Sequence, residues 1–354
     1  MFTHDKTKKI KIGNTYLGGG TQVLIQSMLS VPAQDLKGNV QQAVALEQAG
    51  CQIVRVSVPD KESVALIPAI KEKISIPLVA DIHFDYRLAL ESVAAGVDKV
   101  RINPGNIGGD ENVRAVASCC KAAGVPIRIG VNSGSVEKHI LEKYGAPTPE
   151  ALVESAKYHI ALLNKFDFDD IVISLKSSDP ACMFGAYTLM AQQFDYPLHL
   201  GVTEAGFGDE AIIKSSSAIG GLLLSGIGDT LRISLTDDPV KEVEAARKLL
   251  SAIGMRKEGI TFVSCPTCGR TKIDLITLAN QAKERFKDVK TPITVAIMGC
   301  VVNGPGEARQ ADIGVAGGDG CGVLFKKGEI IRKVEEKEIL NALAQEIEKL
   351  EKEK

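Results

Sequence analysis

Three cysteines lie in two turns that are rich in glycine and proline. The first turn reads SCPTCGR over residues 264–270 and contains Cys265 and Cys268, and the second reads MGCVVNGPGE over residues 298–307 and contains Cys300. The two-residue gap between Cys265 and Cys268 lets both thiolates bind at one metal site. Glycine in these turns allows backbone N–H groups to point at bound sulfur atoms. The turns therefore predict a site with three thiolate ligands and a fourth ligand from elsewhere in the chain.

Two kinds of metal site fit three thiolates in this setting. A structural zinc ion needs four closed ligands, and Cys321 would supply the last one. An iron–sulfur cluster accepts three thiolates and a weaker ligand on its remaining iron, a position that suits Glu307 in the stretch GPGE at 304–307. A weakly held carboxylate would leave that iron accessible to a substrate oxygen. The acid beside Gly-Pro-Gly favours the cluster, and zinc remains the alternative.

Cations recur near the carboxyl ends of the predicted strands, where barrel enzymes place their active sites. A buried cation is costly unless an anion meets it, and converging guanidinium groups match the geometry of a phosphate. The nearby acids Asp81 and Glu204 are too few to neutralise all the cations, so the pattern predicts a small, strongly anionic ligand, most simply a diphosphate. The cations are Arg55, Arg101, Arg128, Lys176 and Arg232, and the same ends carry the polar residues His83, Asn132 and Ser234.

A repeated helix-to-strand unit positions these residues. Three times a helical stretch ends in Ala-Gly and an apolar strand with an arginine follows, at 49–56, 95–102 and 123–130. Glycine just past a helix supplies the left-handed residue that ends it. Eight strands alternating with helices over about 250 residues are typical of an α/β fold of the (β/α)8 TIM-barrel type, predicted here for residues 1–255. The strands are expected near Val23–Ser27, Gln52–Val56, Pro77–Asp81, Asp98–Ile102, Pro126–Gly130, Asp170–Leu175, Pro197–Val202 and Asp229–Ser234.

An open doubly wound sheet with the same strands is the competing architecture. Such a sheet normally carries a GxGxxG turn after its first strand, and no such motif follows a strand here. The barrel is therefore favoured. A charged helix at 240–253 and a short hinge at 255–259 lead to a smaller α/β domain, predicted for residues 260–354, whose strands near 261–264 and 294–298 run into the two cysteine turns.

The composition argues against several classes of function. The chain has 354 residues, with 42 Lys and Arg against 44 Asp and Glu and a net charge of −2. Without a basic excess, we expect no binding to nucleic acid, and without a long apolar run we expect no membrane span. The polar amino-terminal segment does not resemble a signal peptide, so we expect a cytoplasmic protein with thiols rather than disulfides. Five cysteines in apolar or small-residue contexts are predicted to be buried thiols: Cys51, Cys119, Cys120, Cys182 and Cys321.

Four long, irregular strings make the chain resemble a known family, the bacterial 4-hydroxy-3-methylbut-2-enyl diphosphate synthases of the non-mevalonate isoprenoid pathway. They are SCPTCGRT at 264–271, MGCVVNGPGEA at 298–308, GIGDTLRISL at 226–235 and HLGVTEAG at 199–206. The resemblance covers essentially the whole chain. It implies a barrel that binds 2-C-methyl-D-erythritol 2,4-cyclodiphosphate and a carboxyl-terminal domain with a [4Fe-4S] cluster. It also implies a homodimer in which the cluster domain of one chain closes the barrel of the other.

The resemblance also assigns roles to residues. By the match of motifs, the cluster ligands would be Cys265, Cys268, Cys300 and Glu307. The cyclic diphosphate would be held by Arg55, Arg101, Arg128, Lys176, Arg232, Asn132 and Ser234, with His83 as a further candidate at the barrel mouth.

The expected reaction is a two-electron reductive dehydration that opens the ring and releases water. Reduced flavodoxin or ferredoxin would donate the electrons, and Glu307 would make its iron available to substrate. Glu204 is the candidate proton donor, and an ion pair with one of the arginines is its alternative role. Two other functions remain open: a barrel enzyme acting on a phosphorylated metabolite with a structural zinc site, and a non-catalytic module with a zinc-bearing binding platform.

Overall fold

The structure is a computed structural model that describes residues 4–301, 306 and 308–353. The chain divides into two compact units, residues 1–253 and 254–354. The strands of the first unit are β1 (Ile10–Ile12), β2 (Thr15–Leu17), β3 (Leu24–Met28), β4 (Ile53–Ser57), β5 (Leu78–Asp81), β6 (Lys99–Ile102), β7 (Ile127–Asn132), β8 (Ile171–Lys176), β9 (His199–Leu200) and β10 (Thr230–Leu231). Its helices are α1 (Leu36–Gln48), α2 (Leu66–Lys71), α3 (Tyr86–Ala94), α4 (Asp110–Ala123), α5 (Lys138–Tyr144), α6 (Pro149–Asn164), α7 (Pro180–Gln193), α8 (Gly208–Leu224) and α9 (Pro239–Ala252).

The strands β3 to β10 form an eight-stranded parallel barrel. Each strand pairs with the next from β3 to β8, β10 pairs with both β9 and β3, and a bridge between Ile173 and Leu198 joins β8 to the segment that enters β9. The (β/α)8 prediction is therefore confirmed. Regular pairing in β9 and β10 is shorter than predicted, because β10 pairs for only two residues with each neighbour.

The barrel strands alternate between two environments. In β7, Ile127, Ile129 and Val131 are buried in the core cluster that also contains the helices. Because successive side chains of a strand point to opposite faces, the intervening residues of β7, beginning with Arg128, face the interior of the barrel.

A hairpin that the sequence analysis did not predict closes the amino end of the barrel. Strands β1 and β2 pair antiparallel, and their Ile10, Ile12 and Leu17 form one buried cluster with the first residues of several barrel strands, including Leu24 and Ile53. These side chains are at most 5% exposed. They form an apolar floor beneath the barrel interior.

Local sequence signals explain where the helices of the first unit begin and end. The three predicted Ala-Gly ends are confirmed, since Gly50, Gly96 and Gly124 have φ angles of 96°, 91° and 65°. Glycine adopts this left-handed conformation without a steric penalty. At the other ends, an aspartate side chain accepts hydrogen bonds from the first free N–H groups of α1, α3, α7 and α9.

The second unit contains a five-stranded mixed sheet in the order β11 (Ile260–Ser264), β12 (Ile293–Met298), β13 (Ile313–Gly318), β14 (Cys321–Lys326) and β15 (Glu329–Glu335). Strands β11, β12 and β13 are parallel, and β13 to β15 are antiparallel. Helices α10 (Leu275–Arg285) and α11 (Ile339–Glu353) contribute to its hydrophobic core. Across the described part of the chain, each helix is too short or too polar to cross a membrane.

Candidate functional site

The five predicted cations all lie in the barrel and are largely buried. Arg128 and Lys176 are 1% and 8% exposed, and the side chains of Arg55, Arg101 and Arg232 are between 12% and 15% exposed. Arg101 and Arg128 occupy paired positions on the adjacent strands β6 and β7. Paired positions on neighbouring strands point to the same face of a sheet, so these side chains share the barrel interior.

Asp81, the last residue of β5, is the shared partner of two of these arginines. Its Oδ1 accepts a hydrogen bond from Arg101 Nη1 at 3.1 Å, and its Oδ2 lies 3.7 Å from Arg55 Nε. Burial favours the neutral acid, but Arg55, His83 and Arg101 hold the pKa of Asp81 well below its usual range. Burial also lowers the pKa of Arg55 to about 10, and Asp81 opposes that shift. At neutral pH, Asp81 is therefore ionised, and it lies between Arg55 and Arg101.

Arg232 has an acidic partner that the sequence analysis did not identify. Its Nε and Nη2 donate to the two carboxylate oxygens of Glu242 at 2.9 and 2.8 Å. Glu242 lies in α9, is 2% exposed, and also accepts a hydrogen bond from Ser27 Oγ at 2.7 Å. Glu204, considered earlier as a possible partner, is exposed and takes part in none of the ion pairs of the described residues. Among the described residues, the acids paired with these buried arginines are thus Asp81 and Glu242.

Arg128 and Lys176 have no carboxylate partner among the residues that the structure describes. Burial and the neighbouring Arg55, Arg128 and Arg232 lower the pKa of Lys176 well below its usual value. Burial and the charges of Arg55 and Arg101 likewise lower the pKa of Arg128. A guanidinium group nevertheless keeps its proton in proteins. Two buried groups here therefore lack the anion that their chemistry requires.

Two glycines provide the space that these cations occupy. A Cβ atom at Gly130 would lie 2.3 Å from Arg101 Nε, and one at Gly201 would lie 2.8 Å from Lys176 Nζ. Arg101 Nη2 in turn donates to the carbonyl oxygen of Gly130 at 3.0 Å. Neither glycine was predicted as part of the site, although a glycine inside a predicted strand often marks a close approach of another group.

The other predicted barrel residues lie near the carboxyl ends of the strands. His83 has a side chain that is 52% exposed, with Nε2 3.3 Å from Asp81 Oδ2. Asn132 is half-buried, and its side chain accepts a hydrogen bond from the short turn that follows β7. Ser234 is half-buried, and Glu204 is exposed with a φ of 52°, an uncommon conformation for a residue with a side chain. Their roles stay predictions.

Three polar residues deeper in the barrel were missed because only strand ends were considered. Lys99, Gln26 and His199 are each at most 1% exposed. Lys99 begins β6 and stands two residues before Arg101, which places it on the same face of the strand. The period-two pattern KVRI at 99–102 carried this signal.

The cysteine turns of the second unit lie side by side. Strands β11 and β12 are parallel and Ser264 pairs in register with Ile297, so the turns that follow both strands leave the sheet at the same edge. The N–H of Gly299 donates to Cys265 Sγ at 3.2 Å, a contact that joins the two turns. A hydrogen bond from the backbone of Arg270 lowers the pKa of the Cys268 thiol. These features suit thiolate ligands, and the donor set of Cys265, Cys268 and Cys300 fits an iron–sulfur cluster.

The fourth ligand cannot be placed in the same way, because Glu307 lies outside the described residues. Cys321, the alternative fourth ligand for zinc, is buried at the start of β14 and pairs with Gly318 at the end of β13. Within the described ranges, no group of three His, Cys, Asp or Glu side chains is arranged to hold a single metal ion.

The prediction of buried thiols holds for Cys51, Cys120 and Cys321 and is wrong for Cys119 and Cys182, which are partly exposed. Cys119 and Cys120 are adjacent on α4, and successive residues of a helix point about 100° apart, so Cys120 lies within the core while Cys119 packs against its edge and stays partly exposed.

The comparisons with known proteins cover nearly the whole chain. The model of the GcpE TIM-barrel domain matches residues 7–247, and that of the GcpE protein C-terminal domain matches residues 261–349. The chain is 56% identical over 347 residues to a Caldanaerobacter subterraneus protein, with 98% of each chain covered, and 55% identical to a Clostridium perfringens protein, with 97% and 98% covered. Both relatives are named 4-hydroxy-3-methylbut-2-en-1-yl diphosphate synthase (flavodoxin).

Solved structures resemble the fold alone. The Yersinia pestis dihydropteroate synthase covers 69% of this chain and 98% of its own, with a TM-score of 0.51 and 14% identity. The N-acetylneuraminic acid synthetase of Leptospira borgpetersenii covers 70% of this chain and 90% of its own, with a TM-score of 0.52 and 13% identity. The two domain matches and the near-full-length relatives decide the assignment, and the chain belongs to the GcpE family.

Proposed function

We propose that the buried cations of the barrel bind 2-C-methyl-D-erythritol 2,4-cyclodiphosphate. One observation carries the proposal: Arg128 and Lys176 are buried without a carboxylate partner in the described part of the chain, beside three further arginines that have two carboxylates between them. A ligand with two phosphoryl groups supplies the missing negative charge, and the guanidinium groups match phosphate oxygens in geometry.

The chain catalyses the reductive formation of 4-hydroxy-3-methylbut-2-en-1-yl diphosphate, the activity for which its relatives are named. We infer that the cyclic substrate takes up two electrons and two protons and releases one water. The bond between the methyl-bearing carbon and its phosphate oxygen breaks, and that oxygen remains on the diphosphate. The hydroxyl of the adjacent carbon leaves as water, and a carbon–carbon double bond forms. The cations fix the ring and stabilise the negative charge that develops on the phosphate oxygen.

We assign Cys265, Cys268, Cys300 and Glu307 as the ligands of a [4Fe-4S] cluster. Such a cluster supplies single electrons, which a two-electron reduction needs in sequence. The contact from the Gly299 N–H to Cys265 Sγ and the hydrogen bond that lowers the pKa of Cys268 both support thiolates at these positions. The names of the relatives support flavodoxin as the electron donor, with ferredoxin as the alternative.

Glu204 is the proposed proton donor for the departing hydroxyl. It is exposed just beyond the end of β9 and takes part in none of the ion pairs of the described residues, so its carboxyl is free to meet a ligand. Glu204→Gln should lower kcat at least tenfold with little change in the binding of substrate. Equal turnover by this variant would remove Glu204 from the mechanism.

The first test is the content of iron, acid-labile sulfide and zinc in protein purified without oxygen. About four irons and four sulfides per chain support the cluster, and Cys300→Ser should lower that content. One zinc and no iron would instead support a structural zinc site and a barrel of different chemistry.

Arg232→Ala tests the phosphate assignment separately. This variant should abolish most turnover while leaving the visible spectrum of the cluster unchanged. Full activity of Arg232→Ala would refute the phosphate assignment.

We also propose a homodimer and a cytoplasmic location. The free state of all eight cysteines agrees with a reducing compartment. Light scattering of the purified protein tests the dimer, and a monomer mass at working concentration would refute it.

A further inference from the structure

Lys99 is a buried cation that the proposed binding site does not use. It is 0% exposed, and its Nζ makes no hydrogen bond to any described residue. Its register partner on β5 is Val79, which belongs to the apolar floor with Leu24 and Val172. The floor offers no acceptor, so the ammonium group is left to interact with whatever occupies the barrel interior.

Other polar groups at this depth lack partners in the same way. Five further atoms are buried without a hydrogen bond to any described residue: the amide Oε1 and Nε2 of Gln26, Nε and Nη1 of Arg128, and Nε2 of His199. The remaining ring nitrogen of His199 lies 2.8 Å from Thr230 Oγ1, which fixes the ring. Buried polar groups in proteins are nearly always paired, so four such exceptions on the strands of one barrel indicate a ligand.

Lys99, Arg128 and His199 are close enough to affect one another electrostatically. Burial lowers the pKa of Lys99 well below its usual value, and the charges of Arg128 and Arg55 lower it further. Burial also lowers the pKa of His199, and the charges of Arg128, Lys176 and Lys99 lower it further. Lys99 and His199 thus share one electrostatic environment with the cations nearer the strand ends.

The charges of the barrel interior do not balance. The described residues place six basic side chains there against two carboxylates, Asp81 and Glu242. A cyclic diphosphate carries one negative charge on each phosphoryl group. Once the ring opens, the terminal phosphate has a further ionisable oxygen with a pKa of about 6. The opened diphosphate therefore matches the charge of the barrel better than the ring does. The six basic side chains of the barrel interior are those of Arg55, Lys99, Arg101, Arg128, Lys176 and Arg232.

We propose that Lys99, together with Gln26, Arg128 and His199, forms a deeper phosphate subsite that binds the terminal phosphate freed when the ring opens. This inference rests on the proposed function, because it places the diphosphate in the barrel. The carbon–oxygen bond breaks with its electron pair on the phosphate oxygen, and the Lys99 ammonium stabilises the resulting oxyanion. The two electrons of the reduction go to the carbon that loses this oxygen, the adjacent hydroxyl leaves as water, and the carbon–carbon double bond forms. An interaction that exists only after the ring begins to open favours the transition state over the bound substrate.

The experiment compares two lysines of the same barrel. Lys99 begins β6, whereas Lys176 ends β8, and each is replaced by methionine, which has nearly the same length without the charge. Titration calorimetry on the metal-loaded full-length protein, without reductant so that no turnover occurs, measures Kd for the cyclic substrate and for 4-hydroxy-3-methylbut-2-en-1-yl diphosphate. Lys99→Met should raise Kd for the opened diphosphate at least tenfold and Kd for the ring less than threefold. Lys176→Met should weaken the binding of both.

The possible results separate the two proposals. If Lys99→Met binds the opened diphosphate within threefold of the wild type, or weakens both ligands equally, the deeper subsite is wrong. If Lys176→Met leaves both ligands unchanged, the proposed binding site itself is wrong, whatever Lys99 does. The melting temperature of ligand-free Lys99→Met should not fall, because a buried cation without a partner destabilises the fold. Should Lys99→Met fail to fold, Gln26→Met provides the same comparison: a loss of more than threefold for the opened diphosphate only supports the subsite, and a smaller or equal loss for both ligands refutes it.

Discussion

Gly130→Ala tests whether the position of Arg101 controls the activity. The new Cβ would lie 2.3 Å from Arg101 Nε, 2.6 Å from Nη2 and 2.8 Å from Cζ. Ordinary contact between such atoms begins at about 3.5 Å, so the guanidinium group must move by about 1 Å. That movement breaks the hydrogen bonds from Arg101 to Asp81 and to the Gly130 carbonyl, which are 3.1 and 3.0 Å long.

The loss of activity should exceed the loss of stability. A displacement of about 1 Å at a positioning group can reduce turnover about 100-fold, which corresponds to about 2.7 kcal/mol of transition-state stabilisation. The clashing atoms belong to the end of a flexible side chain, so the strands need not move. The broken hydrogen bonds cost about 1–2 kcal/mol, which lowers the melting temperature by about 2–8 °C.

The assay is anaerobic turnover of the cyclic diphosphate with a chemical reductant, alongside thermal unfolding. Gly134→Ala is the matched control, because it makes the same change just beyond β7, where no heavy atom lies within 4 Å of the new Cβ. The control should keep wild-type values of kcat/KM and melting temperature. If Gly130→Ala retained kcat/KM within threefold of the wild type, Arg101 would have no role in holding the substrate.

Two further predictions concern other parts of the barrel. Gly201→Ala should reduce kcat/KM at least tenfold and lower the melting temperature more than Gly130→Ala does, because its Cβ meets both Lys176 Nζ at 2.8 Å and the backbone oxygen of Arg232 at 3.1 Å; unchanged turnover would contradict the role of Lys176. Glu137 should stabilise the fold above about pH 4.5 and lose that effect as the pH falls toward about 2, since burial raises its pKa but hydrogen bonding to His159 prevails and lowers it to about 2. Urea unfolding should therefore show Glu137→Gln less stable than the wild type by about 2–3 kcal/mol at pH 7 and by much less at pH 3; a difference independent of pH would refute this account.

The repeated part of the fold could be predicted because each unit carries its own signals. The Ala-Gly helix ends and the apolar runs with an arginine recur at regular spacing, and Gly50, Gly96 and Gly124 adopt the conformation that such ends require. The hairpin β1–β2 could not be predicted in this way. Its strands are three residues long, too short for an alternating pattern, and their pairing depends on the floor that they cover.

The candidate site was predictable where it follows from position along a strand. Arg55 and Arg101 were found at strand ends, and their side chains meet at Asp81. Glu242 was missed because it lies in a helix whose sequence reads as an ordinary charged surface, and only the packing of α9 against β3 brings it to Arg232. Lys99 was missed for a different reason. The period-two pattern places it on the inner face, but its depth in the barrel depends on the register with neighbouring strands.

The hairpin covers the amino end of the barrel. Among the described residues, Ile10, Ile12 and Leu17 fill that end together with the first residues of the strands, so the carboxyl ends are the route by which a ligand enters and leaves. Substrate and product must then travel the same route in opposite directions, and one cannot arrive until the other has departed. The residence time of the product therefore sets an upper limit on turnover, and the product is expected to compete directly with substrate for the free enzyme.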